Sequence, residues 1–128
     1  MRSIALVSIL LFSTAAFCDD TDLLAKFAGT FNGSLFSGSD MDPVITSFTL
    51  NKQGELSGKY AMGEEEGLEV GTLKDIHIES AFSISMTWKD KYGEGTLRIL
   101  FSEDYQVFWG FWGDSETPAA LTWNGIRK

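Results

Sequence analysis

The groups that could do chemistry in this sequence are few in kind: scattered carboxylates, a single histidine and a rich set of aromatic rings. His77 is the one histidine, so a histidine-based metal cluster is ruled out, and no GxSxG-like turn accompanies it to suggest a serine nucleophile. Carboxylates gather where turns are expected, at Asp40 and Asp42, Asp90 and Glu94, Glu103 and Asp104, and in the run Glu64-Glu65-Glu66. Charged turns are ordinarily solvated. A calcium ion needs about six to eight convergent oxygens, of which Asp40 and Asp42 supply a fragment. A glycosidase pair needs one carboxyl group in apolar surroundings to raise its pKa, and no pair here has that context. No GxGxxG or GxxxxGK[ST] loop precedes a helix. The expectation is a non-enzyme without metal or cofactor.

The aromatic residues are more telling. Four tryptophans, ten phenylalanines and three tyrosines fall mostly within alternating segments. Tyr60, Trp88 and Trp109 are expected to line a pocket, because convergent rings with few polar groups are how small ligands are held. Between Val107 and Trp112 the rings occupy both faces, with Val107, Trp109 and Phe111 on one and Phe108 and Trp112 on the other. One set must leave the core. Trp112, beside Gly110, is expected to face outward as a flat apolar platform for a ligand ring, a peptide or, with Phe108, a second subunit or protein partner. The candidate ligand-binding residues are therefore Tyr60, Trp88, Trp109 and Trp112.

Short strands must position these rings. From Phe27 onward apolar residues recur with a period of two, interrupted by glycine and charged clusters, which predicts an all-β sandwich or barrel. Inward sets are Phe27, Phe31 and Leu35; Val44, Thr46, Phe48 and Leu50; Leu56, Tyr60 and Met62; Phe82, Ile84, Met86 and Trp88; Leu97, Ile99 and Phe101; and Leu121, Trp123 and Gly125. Leu68 to Ile78 forms a further strand whose phase changes near Lys74-Asp75, predicting a bulge. With Tyr105 to Gly113 this makes about eight strands. Their links are too short for parallel crossovers, so the chain is an antiparallel meander, closed or nearly closed as a small up-and-down barrel. Glycines within the strands are expected to provide curvature or to let rings lie on bare backbone. Thr21 to Ala28 is expected to begin with a helical turn.

The first 18 residues read as an export signal. Arg2 gives a charged start, the Ile4 to Phe12 run is apolar, and small residues at Ala16 and Cys18 set cleavage before Asp19. A lipoprotein would instead keep an acylated Cys18, but Phe17 stands where that pathway takes a small residue. Residues 19–128 then form one domain without cysteine, exported to the periplasm or the medium, with no disulfide or thiolate site. Losing Arg2 leaves 9 basic against 18 acidic residues. With no basic stripe, nucleic acid is not an expected partner. No later segment is long and apolar enough for a transmembrane helix.

The segments Gly58-Lys-Tyr60, Trp88-Lys-Asp90, Gly93-Glu-Gly95, Phe108-Trp-Gly-Phe-Trp112 and Trp123-Asn-Gly-Ile-Arg127 resemble a family of small secreted β-barrel proteins with no assigned activity. The resemblance runs from Phe31 to the C-terminus and implies a barrel whose closing strand is anchored by Arg127. Gly54 to Tyr60 and Phe82 to Lys89 are also similar to strands of avidin-type barrels, within the lipocalin-like calycin architecture. That similarity implies that Tyr60 and Trp88 line a pocket. It departs at Met62, where a biotin-contacting serine is expected. The function expected is an exported, non-catalytic binding protein for a small apolar or ring-bearing ligand or a peptide. The alternative is a structural or protein-interaction module of the cell envelope with a fully packed core.

Overall fold

The computed structural model describes residues 21–63, 68–116 and 118–128. The expected signal peptide lies outside the described residues. Eight strands follow one another around a closed barrel: β1 (Gly29–Phe36), β2 (Met41–Leu50), β3 (Leu56–Met62), β4 (Glu69–Ser80), β5 (Ser83–Asp90), β6 (Gly93–Phe101), β7 (Val107–Asp114) and β8 (Leu121–Arg127). Each pairs antiparallel with the next, and β1 pairs with β8 to complete the circle. Closure removes both sheet edges. No helix among the described residues is long and apolar enough to cross a membrane.

The period of two sets the inside. Val44, Thr46 and Phe48 of β2, Ile84, Met86 and Trp88 of β5, and Leu97, Ile99 and Phe101 of β6 are all buried. In β4 the inward residues change from Leu73 to Ile76 and Ile78, so the expected bulge is present. Its cause is local: the β4–β5 register shifts between Lys74 and His77, and Asp75 takes φ 55°, a left-handed conformation that acidic side chains tolerate better than most. At the β1–β8 seam, the Ser34 backbone N–H and hydroxyl both donate to the Asn124 side-chain oxygen, at 3.2 and 3.3 Å.

The two ends of the barrel are built from different residues. One end carries the β2–β3, β4–β5 and β6–β7 turns and is stopped by the chain's own N-terminal segment. Residues 21–27 form a helix, longer than the single turn expected, and its last residue, Phe27, is fully buried. The Phe27 ring packs 5.0 Å from Phe101 and 5.6 Å from Tyr105, while Phe31 lies against Phe48, Phe101 and Phe108. Arg127 ties this plug to the last strand: its guanidinium donates to the carbonyls of Ala28, Lys26 and Tyr105 and lies 4.6 Å from the Phe31 ring centre. Phenylalanines dominate this end, joined by Tyr105, whose hydroxyl donates to the Ala81 carbonyl. The opposite end is left to tryptophans and tyrosines.

Candidate functional site

At the end away from the helix, where the β1–β2, β3–β4, β5–β6 and β7–β8 connections lie, the barrel interior opens into a cavity of about 450 Å³. That volume is within the ~300–1,000 Å³ usual for small-molecule sites. Its walls are Tyr60 from β3, Trp88 from β5, Trp112 from β7 and Trp123 from β8, with Met62 and Leu35 beside them. Trp88 and Trp112 meet at a right angle, ring centres 5.4 Å apart, and Tyr60 meets Trp123 edge-on at 4.8 Å. Asp42, Glu69 and Asp90 supply carboxylates to the same lining, and Tyr92 stands exposed beside them.

Bare backbone between strands places two of these rings. Tyr60 pairs with Gly71 of β4, and that register continues toward Asp90 of β5. The Tyr60 ring lies across Gly71, where an added Cβ would collide with it, and its hydroxyl reaches the far strand to donate to Asp90 Oδ2 at 2.6 Å. Trp88 uses the same device one strand pair further on. Gly95 sits between it and β7, and the Trp88 Nε1–H donates across to the Gly113 carbonyl at 2.9 Å. A Cβ on Gly95 would run into that carbonyl. In-strand glycines thus serve close approach as well as curvature.

The other two indoles, Asp90 and Glu69 are equally committed. Trp112 Nε1–H donates to the Phe36 carbonyl at 2.9 Å, and Trp123 Nε1–H to the fully buried Thr46 hydroxyl at 3.0 Å. Asp90 accepts from Tyr60 through one oxygen and from the Tyr92 backbone N–H through the other, at 2.8 Å. Burial holds the Tyr60 phenol well above its ordinary ionisation range, and the hydrogen bond to Asp90 and that carboxylate's charge act in the same direction. Tyr60 is therefore a fixed donor at neutral pH. At the rim, Glu69 pairs with Lys91 at 2.8 Å and raises the lysine's pKa. No buried side-chain nitrogen or oxygen among the described residues lacks a partner.

Of the four residues expected to bind a ligand, Tyr60, Trp88 and Trp112 share the cavity and Trp109 does not. Phe108, Gly110 and Trp112 point inward, whereas Trp109 and Phe111 are half exposed on the outer wall. The expected placement of Trp109 and Trp112 is therefore reversed. Inward Phe108, fully buried, sits among the plug aromatics, and the next inward steps of the same strand bring Trp112 to the open end. Neither Phe108 nor Trp112 forms the outward platform expected for a partner. The apolar outer wall of this region is instead Leu100, Trp109, Phe111 and Ile126. Trp123 and Asp90 were not among the expected site residues. Trp123 could have been found by its inward phase in β8, but Asp90, at a strand end two residues beyond Trp88, reads as an ordinary solvated turn. His77 is exposed on β4. Among the described residues, no three His, Cys, Asp or Glu side chains converge as a metal ion would need.

No family model, no curated protein and no solved structure matches this chain.

Proposed function

We propose that this protein is an exported, non-catalytic barrel that holds a small ring-bearing molecule in the cavity at its open end. The observation that carries the reading is the asymmetry of the interior. Phenylalanines, Tyr105 and the 21–27 helix plug one end, while Tyr60, Trp88, Trp112 and Trp123 line a cavity of about 450 Å³ at the other. A barrel built only for stability gains nothing from leaving such walls apart, because unfilled volume forfeits dispersion contacts. This weighs against the alternative of a structural or interaction module with a packed core. A small molecule suits the site better than a peptide strand, since a closed barrel offers no free edge for strand addition.

Binding without turnover is supported by how the polar groups are used. Both oxygens of Asp90 already accept hydrogen bonds, the Tyr60 proton is held against ionisation, and His77 is outside the barrel. Export is supported by Arg2, the Ile4 to Phe12 run and the small residues Ala16 and Cys18 ahead of Asp19.

Native mass spectrometry of the protein purified gently from its own host tests this reading. A retained small molecule, lost when Trp88→Ala opens the right-angled corner with Trp112, is the expected result. A clean mass matching residues 19–128 alone, unchanged after incubation with a metabolite extract, would overturn it.

A further inference from the structure

The polarity of the cavity narrows the ligand, on the reading just given that the cavity binds one. We infer that the occupant is an organic cation: an ammonium group carried on a flat or apolar body.

Three observations converge on this. Every side-chain donor in the lining is already spent within the protein: the indoles of Trp88, Trp112 and Trp123 on Gly113, Phe36 and Thr46, the Tyr60 hydroxyl on Asp90, the Ser37 hydroxyl on Asp40, and the Tyr92 hydroxyl on Glu69. A ligand presenting carbonyl or anionic oxygens would find no free side-chain donor among the described residues of the lining, and burying such acceptors unpaired is costly. The walls do offer acceptors. Among the described residues, Asp42, Glu69 and Asp90 line the cavity, no Lys, Arg or His does, and of the three carboxylates only Glu69 has a cation within ion-pair distance. The half-buried carboxylate of Asp42 has no hydrogen-bond or ion-pair partner among the described residues.

The aromatic walls complete the pattern, because ring faces attract cations, most strongly when the site is partly desolvated. The protein performs this recognition once on its own account at the rim, where the Lys91 ammonium lies 2.8 Å from Glu69 and 5.1 Å from the Tyr92 ring centre. Glu69 and Asp90 both accept from Tyr92 while Asp42 comes from β2, and among the described residues no three carboxylates converge as a metal ion would need, an arrangement that suits a bulky ammonium.

The test compares three probes of one shape: phenyltrimethylammonium, its uncharged isostere tert-butylbenzene, and benzenesulfonate. Binding to the purified protein is followed by tryptophan fluorescence. The ammonium is expected to bind at least about tenfold more tightly than the isostere, with the sulfonate weakest. Asp42→Asn, which breaks no hydrogen bond or ion pair among the described residues, should narrow the gap between ammonium and isostere, and Trp109→Ser on the outer wall should leave it intact. Equal or tighter binding of tert-butylbenzene or the sulfonate, or a gap indifferent to Asp42→Asn, would overturn the cation assignment while leaving a ring-binding cavity in place. Failure of all three probes to bind would overturn both.

Discussion

Replacing Tyr60 by Phe removes one oxygen, and the structure fixes what that oxygen does. Its hydroxyl donates to Asp90 at 2.6 Å from a side chain only 3% exposed. A hydrogen bond to a charged acceptor contributes roughly 1.5–3 kcal/mol, so Tyr60→Phe should lower unfolding stability by about 2 kcal/mol at pH 8. The pH dependence of that loss is the sharper test. In the unfolded chain the phenol ionises near its ordinary pKa of 10.0, whereas burial and Asp90 keep it protonated in the fold. A folded pKa raised above the unfolded one gives stability that is complete below the unfolded value and is lost as pH rises. Linkage sets the loss at about 1.4 kcal/mol per pH unit above pH ~10. By pH 11.5 the advantage of the wild type over Tyr60→Phe should have shrunk by about 2 kcal/mol. Urea unfolding of both proteins at intervals from pH 8 to 11.5 measures this, and the difference between them cancels the other titrating groups. A difference that stays constant across the range, or a variant as stable as wild type at pH 8, would show that the hydroxyl bond to Asp90 does not carry this stability.

Gly71→Ala places a methyl group where the Tyr60 ring lies, so overpacking should cost about 1–3 kcal/mol in urea unfolding and should weaken binding of any cavity ligand. Arg127→Met keeps much of the side chain's bulk over Phe31 but deletes its donors to Ala28, Lys26 and Tyr105; a loss of roughly 2–3 kcal/mol is expected. Hydrogen exchange should accelerate in residues 21–28, with the open end unaffected. Trp109→Ser, on the outer wall, should change thermal stability by less than about 1 kcal/mol and leave ligand affinity unaltered.

The strands were legible because a barrel wall with one buried face imposes strict alternation, and Val44 to Leu50 or Phe82 to Trp88 can be read in one phase only. Even the β4 bulge was visible as the phase change at Lys74-Asp75. Where both faces carry large apolar residues, as from Val107 to Trp112, alternation separates two sets but does not say which is inside. That choice is made by neighbours distant in sequence: Phe108 packs on Phe31, and Trp112 finds its acceptor in the Phe36 carbonyl. The polar part of the site was hidden for the same reason. Tyr60 and Asp90 are 30 residues apart and meet only because Gly71, on the strand between them, lets the ring cross. Trp123 and Thr46, 77 apart, meet because β8 closes onto β1 and the indole reaches over that strand to β2. Such contacts follow from strand pairing, over β3–β4–β5 in the first case and the closing β8–β1 seam in the second, which no local pattern encodes.

Whether the open-end cavity receives a ring-bearing ligand can be read from the four indole N–H resonances in an NMR titration with phenyltrimethylammonium. Trp88, Trp112 and Trp123 line the cavity and Trp109 lies outside it, so the protein carries its own control. Binding in the cavity gives saturable shifts of the first three with Trp109 unmoved. A titration in which Trp109 alone shifts, or none of the four does, would contradict it.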